Sequence, residues 1–262
     1  MCGRFVSSST PEQIGAYFGA DAPETVLEQN FNVAPTNDIY AVVIGADGSR
    51  RVEVFRWGLV PSWAKDAKIG SKMINARSET LAEKGAFKPL LRSKRCIIPM
   101  DGFYEWQTRT GADIALSSTG KPVKQPMFIH RLDGELLAVA GLWSPWRDKT
   151  MGADAPWLHS ATVITTSANE TMSAVHDRMP VMLPASLWET WLDPLNTDIE
   201  NLSSLLVPAA NGLLTMHPVS TAVNKVSNNG VELLAAVRVP ISTATSTSPA
   251  SRPSDRGQTL FD

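Results

Sequence analysis

Ile39-Tyr40-Ala41-Val42-Val43-Ile44-Gly45, a turn around Asp47-Gly48, and Arg51-Val52-Glu53-Val54-Phe55-Arg56-Trp57 form the stretch that decides the fold. Two runs of β-branched and aromatic residues, joined by Asp-Gly, read as an antiparallel hairpin. Working outward, residues 96–99, 102–106, 127–130, 136–142 and 160–166 carry the same short strand character. Helices are fewer. Thr10 followed by Pro11, Glu12 and Gln13 predicts a capped helix start, with the helix running to about Phe18 and stopping at Gly19. Residues 76–83, 187–192 and 198–206 also have helical spacing. Residues 107–125 and 145–158 are polar, with scattered Gly and Pro, and are expected as loops. The expectation is an α+β fold: a single domain over 1–240, with a mainly antiparallel, barrel-like β core and a few flanking helices. Residues 241–262 are Ser, Thr, Pro and Arg with little to bury, and are expected as a disordered tail.

The chain has 262 residues, 43% of them hydrophobic, enough for a large core. Its two cysteines, Cys2 and Cys96, make no disulfide framework and fit an intracellular protein with reduced thiols. No apolar run approaches the roughly 20 residues that cross a bilayer, so no membrane association is expected. No signal peptide is expected either, because polar Ser7-Ser8-Ser9-Thr10 falls where an apolar region would be needed. The formal net charge of −2 conceals a division: residues 1–49 carry net −5, residues 50–95 net +8, and residues 96–262 net −5. A basic central third points to an anionic partner such as nucleic acid, or to a solvated loop.

Four stretches hold most of the polar chemistry. The first is Cys2 with Arg4. If Met1 is removed, Cys2 carries an α-amine and a thiol on adjacent carbons. The amine can condense with an aldehyde and the thiol can close a thiazolidine ring, or the thiol can attack a carbonyl with the amine as base. An incidental buried cysteine is the bland alternative. The second stretch is residues 73–79, where Asn75 and Arg77 share a face if the chain is extended. In the third, residues 101–106, Glu105 stands among Phe103, Tyr104 and Trp106. A carboxyl in an apolar wall gains a raised pKa and can move protons near neutrality, while an outward-facing strand residue does nothing of the kind. The fourth is residues 175–180, where His176 lies beside Asp177 and Arg178. A lone histidine is more often structural, but these neighbours add weight to a site role.

Eight motifs then stand in order: Met-Cys-Gly-Arg-Phe at 1–5, Asn-Val-Ala-Pro-Thr at 32–36, Trp-Gly-Leu-Val-Pro-Ser-Trp at 57–63, Ile-Asn-Ala-Arg-Ser-Glu-Thr at 74–80, Phe-Tyr-Glu-Trp at 103–106, Thr-Thr-Ser-Ala-Asn at 165–169, His-Asp-Arg-Met-Pro at 176–180 and His-Pro-Val-Ser at 217–220. Together they resemble the SOS-response-associated peptidase (SRAP) family, over about residues 1–235. The resemblance implies a monomer that senses abasic sites in single-stranded DNA, without a metal or cofactor. It would trap the lesion's aldehyde on Cys2 as a thiazolidine after Met1 removal. It also implies a cytoplasmic location, at the nucleoid during DNA damage. Cys2 would be the nucleophile, Asn75 the residue holding the sugar or the amine, Glu105 the general acid/base, and His176 the group assisting sugar opening and reversal. Arg4, Arg77 and Arg178 would hold phosphates. Trp63 and Trp106 would give the apolar surface near the lesion, and Thr165 would line the site. The family's peptidase label implies loss of Met1, by self-cleavage or by a separate aminopeptidase. Two rival classes remain: an N-terminal-nucleophile hydrolase like the class II glutamine amidotransferases, and a non-covalent single-strand binding module. Only capture on Cys2 gives a complex that survives denaturation.

Overall fold

In the computed structural model the hairpin is present as expected. The structure describes residues 2–108, 120, 122–152 and 154–238. In chain order its strands and helices are β1 (Phe5–Ser7), α1 (Pro11–Phe18), β2 (Asn30–Val33), β3 (Asp38–Ile44), β4 (Arg50–Trp57), β5 (Asn75–Arg77), α2 (Lys88–Ser93), β6 (Arg95–Met100), β7 (Gly102–Gln107), β8 (Gln125–Arg131), β9 (Leu137–Trp146), β10 (Leu158–Ser167), α3 (Glu170–Ser173), β11 (Arg178–Pro180), α4 (Trp188–Leu192), α5 (Ile199–Ser204) and β12 (Leu214–Pro218). β3 and β4 pair from Ile44 with Arg50 to Asp38 with Arg56. Gly48, at φ +82, takes the left-handed turn position that a side chain would resist.

The strands make two sheets. Around the hairpin, β4, β3, β6, β9 and β10 pair in succession, and β10 returns to β4, closing a five-stranded barrel. The β10–β4 closure is parallel and the other four pairings are antiparallel. The second sheet is antiparallel, in the order β12-β8-β7-β1-β2. The α+β expectation with a barrel-like core therefore holds.

Alternation explains how the layers stack. Ile39, Ala41 and Val43 of β3 enter one apolar cluster, with Cys2, Phe5, Trp57, Phe103 and Ile129, which joins the barrel strands to the second sheet. Tyr40 and Val42 of the same strand enter another, beneath α1, α2, α4 and α5. A third, small cluster of Val6, Tyr104, Phe128, Val219 and Val223 covers the other face of the second sheet.

Helix α1 has the expected bounds. Thr10 Oγ1 accepts from the Gln13 amide, Gln13 Oε1 accepts from the Thr10 amide, and Gly19 ends the helix at φ +60. The helix expected over 76–83 is a correction. Asn75–Arg77 is a strand, followed by a 3-10 turn at Ser78–Thr80. The strand pairs parallel to Val163, Ile164 and Thr165 of β10, so the ladder outweighs local helical spacing. β9 also runs into the expected 145–158 loop, to Trp146, and a 3-10 turn follows at Lys149–Met151. Most of the expected 107–125 loop and all of the expected tail at 241–262 lie outside the described residues. Among the described residues no helix is long and apolar enough to cross a membrane.

Candidate active site

Cys2 precedes β1, the strand that lies between β2 and β7. β1 is held there by pairing of Phe5 with Phe103 and by the Tyr104 amide, which donates to the Arg4 carbonyl at 2.9 Å. Extending that register sets Gly3 across from Glu105. Cys2 is fully buried within the cluster that joins the two sheets. Burial raises its thiol pKa far above the ordinary value, and the negative charge of Glu105 raises it further; a hydrogen bond from the Arg4 backbone opposes both. The thiol is therefore held protonated at neutral pH.

Two side chains address Cys2. Asn75 Nδ2 donates to the Cys2 carbonyl at 2.7 Å. Its Oδ1 is buried and has no hydrogen-bond partner among the described residues, so an acceptor stands ready beside Cys2. Asn75 is set there by β5: it pairs with Val163, and the Trp57 indole N–H holds the preceding Ile74 carbonyl at 3.0 Å. Glu105 is 5% exposed, which removes the outward-facing reading. The enclosure by three aromatics is corrected by the period of two along β7. Glu105 shares the face of Phe103, toward the Cys2 cluster, while Tyr104 and Trp106 lie on the other face.

A second group of predicted residues lies next to the first. Arg77, Glu79, Thr80, His176, Asp177 and Arg178 line an open depression of about 630 Å³. Arg77 is two residues beyond Asn75 on the same face of β5. His176 sits on the turn after α3, and Gln107 Nε2 ties that turn to the Glu105 strand through the Ala174 carbonyl at 3.0 Å. Its Nδ1 lies 3.0 Å from the Arg178 amide and 2.7 Å from Asp177 Oδ1. The amide contact needs a bare Nδ1 and the carboxylate contact a protonated one, so the ring has a partner in either state.

The arginines differ from one another. Arg77 is exposed, and its guanidinium makes no hydrogen bond among the described residues. Arg178 grips Glu79 with two parallel bonds of 2.6 and 2.9 Å, and also donates to the Thr165 carbonyl at 2.7 Å. That grip lowers the Glu79 carboxyl pKa. Thr165 is buried at the β10–β11 junction and lies beneath this pair. Arg4 donates to Asn32 Oδ1 at 2.7 Å and to the Val223 carbonyl at 2.9 Å. Its guanidinium lies 5.8 Å from the Trp106 ring, on the side of the sheet away from Phe103 and Glu105. Trp106 in turn donates to Asn224 Oδ1 at 2.7 Å. Trp63 stands apart on an exposed loop after β4.

The structure thus brings Cys2, Asn75 and Glu105 together, sets His176, Arg77, Arg178 and Thr165 beside them, and leaves Arg4, Trp106 and Trp63 on neighbouring surfaces. The family model for SOS response associated peptidase (SRAP) matches residues 1–226. The chain belongs to the SRAP family. Among its relatives, "Abasic site processing protein YoqW" of Bacillus subtilis (strain 168) is 43% identical over 237 residues, covering 89% of this chain and 99% of that protein. "Abasic site processing protein HMCES" of Gallus gallus is 37% identical over 220 residues, covering 75% of this chain and 61% of that protein. A solved structure from Bacteroides thetaiotaomicron shares the SRAP-member fold at TM-score 0.77 and 24% identity, covering 90% of this chain and 100% of that one. Sequence reasoning missed two residues of this SRAP site. Glu79 partners Arg178, and Trp57 positions Asn75; both stand inside quoted motifs, but contacts across the fold give them their work.

Proposed function

We propose that this chain, acting as a monomer, captures abasic sites in single-stranded DNA covalently on Cys2. One observation carries the reading. Cys2 is clamped by Asn75 and electrostatically coupled to Glu105, in a SRAP chain whose relative at 43% identity is named an abasic site processing protein.

The chemistry starts once Met1 has left and the Cys2 amine is free. The amine adds to the aldehyde carbon of the ring-opened deoxyribose, and the carbinolamine loses water to give an imine. The thiol then adds to the imine carbon, forming the C–S bond, and its proton passes to nitrogen as the thiazolidine closes. One water is lost overall. A thiol held protonated brings the proton that nitrogen must receive. Glu105 accepts and returns protons at both steps. Asn75 Oδ1 accepts from the amine or a sugar hydroxyl. His176, with a partner for each protonation state, assists sugar opening and reversal. Arg77 meets a phosphate, and Arg178 does so from its Glu79 pair. Arg4, Trp106 and Trp63 shape the surrounding surface, and Thr165 supports Arg178 from beneath. Holding amine, thiol and aldehyde together supplies on the order of 7–11 kcal/mol of the barrier. A nucleotide without a base also costs less to extrude than an intact one.

The test is incubation with an abasic single-stranded oligonucleotide followed by a denaturing gel. The expected outcome is a retarded band from protein whose intact mass lacks Met1. Cys2→Ala should give no such band while keeping nearly all non-covalent binding. A denaturation-resistant adduct on Cys2→Ala would end this mechanism. An amidotransferase-like hydrolase or a non-covalent module would give no band with either protein.

A further inference from the structure

His176 is carried by the turn after α3, and α3 is a single turn of helix, Glu170–Ser173. A helix that short has no length over which to propagate, so its geometry comes from the groups that bind its ends. Asn169, at the junction of β10 and α3, is such a group. Its Oδ1 accepts from the Met172 amide at 3.0 Å and caps the helix. Its Nδ2 donates to the Ala209 carbonyl at 3.1 Å, which ties the cap to the loop between α5 and β12. Asn211 of that loop grips the next residue twice: Glu170 donates its amide to Asn211 Oδ1 at 3.3 Å, and Glu170 Oε2 accepts from Asn211 Nδ2 at 3.1 Å. A cap alone needs no burial, and Thr10 caps α1 from an exposed position. Asn169 is buried instead, and a buried amide is tolerated only where its bonds are made.

The cap reaches His176 through one residue. Met172, whose amide Asn169 holds, is fully buried in the cluster that contains Cys2. Its carbonyl accepts from the Val175 and His176 amides, each at 2.9 Å. Asn169 Oδ1, the Met172 backbone and the His176 amide thus form one line. The Ala168 amide donates to the Asp177 carbonyl at 3.0 Å and closes the segment on its other side.

We propose that Asn169 is a positioning residue for His176 and thereby sets how fast captured DNA is released. The inference rests on the lesion-capture reading and on the role given there to His176. Release is the reverse of closure. The C–S bond breaks as the proton on the ring nitrogen passes to sulfur, the imine takes up one water, and the amine and the aldehyde part. Small displacements of a group that assists such a step are costly, about 10²-fold for 1 Å.

The experiment uses the full chain with a preformed adduct, and reads release as transfer of protein to a longer abasic strand on a denaturing gel. Asn169→Ala should slow transfer by roughly 10–100-fold. Asn169→Ser, which keeps an oxygen to cap the Met172 amide, should recover most of the rate. Added to His176→Ala, Asn169→Ala should slow transfer no further, because the group it places is already gone. Wild-type transfer in Asn169→Ala, no recovery in Asn169→Ser, or full additivity with His176→Ala would overturn the proposal; the last would leave Asn169 a merely structural cap. Hydrogen exchange gives a readout that needs no DNA. Asn169→Ala should speed exchange of the Val175 and His176 amides by about tenfold or more, and unchanged exchange would equally overturn the proposal. If the wild-type chain forms no adduct, the capture reading fails, and exchange alone then decides whether Asn169 holds the His176 turn.

Discussion

Glu105 combines deep burial with a direct electrostatic hold on the Cys2 thiol. Glu105→Gln keeps the shape and removes the charge. Crosslink formation should slow by about 10²–10⁴-fold, as for loss of a general acid/base, with DNA affinity little altered. The same change removes one of the two influences that raise the thiol pKa, so Cys2 alkylation at pH 8, mapped by mass spectrometry, should speed up. Slower crosslinking without faster alkylation would separate the two effects and make Glu105 only a proton carrier. The arginines give a second test at this scale. Arg77 is unengaged, so Arg77→Ala should lower the log–log salt slope of single-strand binding by about 0.7, one phosphate contact. Arg178 is bound to Glu79, and its contribution depends on pH. The Glu79 carboxyl is lowered on folding from an ordinary value of 4.5, so the pair adds stability above that pH and loses it as pH falls through the depressed value. A Glu79→Gln chain should therefore lose less thermal stability than wild type between about pH 5 and pH 3. Identical acid profiles would show that the exposed side of the pair is fully screened.

Asn75 reaches Cys2 because a short strand adds to the β10 edge, and the element before it is packed by glycines. Gly58 sits at φ +123, and a Cβ there would meet the Gly70 carbonyl oxygen at 2.5 Å. Gly70 belongs to the 3-10 turn at Ala67–Lys72, which leads directly into Ile74 and Asn75. Gly58→Ala should push that turn outward and shift Asn75 off the Cys2 carbonyl. We expect a loss of about 1–3 kcal/mol in urea unfolding from the strained backbone, together with slow crosslinking. If Gly58→Ala crosslinks at the wild-type rate, the turn yields without moving β5. Helix α1 behaves differently. Its limits follow from a local cap and a local stop, and its role is to cover the barrel, far from the chemistry.

The site is assembled from residues 2, 75, 105 and 176, carried by the segment leading into β1, by β5, by β7 and by the turn after α3, so no local segment can hold it alone. Crosslinking competence and tryptophan fluorescence should accordingly fall together through one urea transition. Competence lost at much lower urea would mean that the Cys2 segment opens on its own. Charge also has to be read on the whole molecule. The basic third is not one patch. Arg95 is buried, its pKa lowered to about 10 by desolvation, and it holds main-chain carbonyls of Leu91, Trp191 and Asp193. Arg50 caps the end of α1 at the Phe18 carbonyl and Arg51 pairs with Asp47. Lys65, Lys68, Lys72, Arg77, Lys84, Lys88 and Arg92 remain exposed for an anion.

By itself the sequence determined what is local or periodic. The hairpin at Asp47-Gly48, the capped helix from Thr10 to Gly19, the alternating strands and the family were all legible, because each is written in short stretches of adjacent residues. Tertiary structure decided what depends on pairing between distant segments. Residues 76–83 have helical spacing, yet β10 offers 75–77 a ladder, and backbone groups with a partner in place take it. Phe103, Tyr104, Glu105 and Trp106 look like one aromatic enclosure in the chain, yet a strand sends neighbours to opposite faces, and only the packed sheets say that the Glu105 face is the Cys2 face. Arg178 and Arg77 are alike in sequence, but the fold gives one of them Glu79 and leaves the other to solvent.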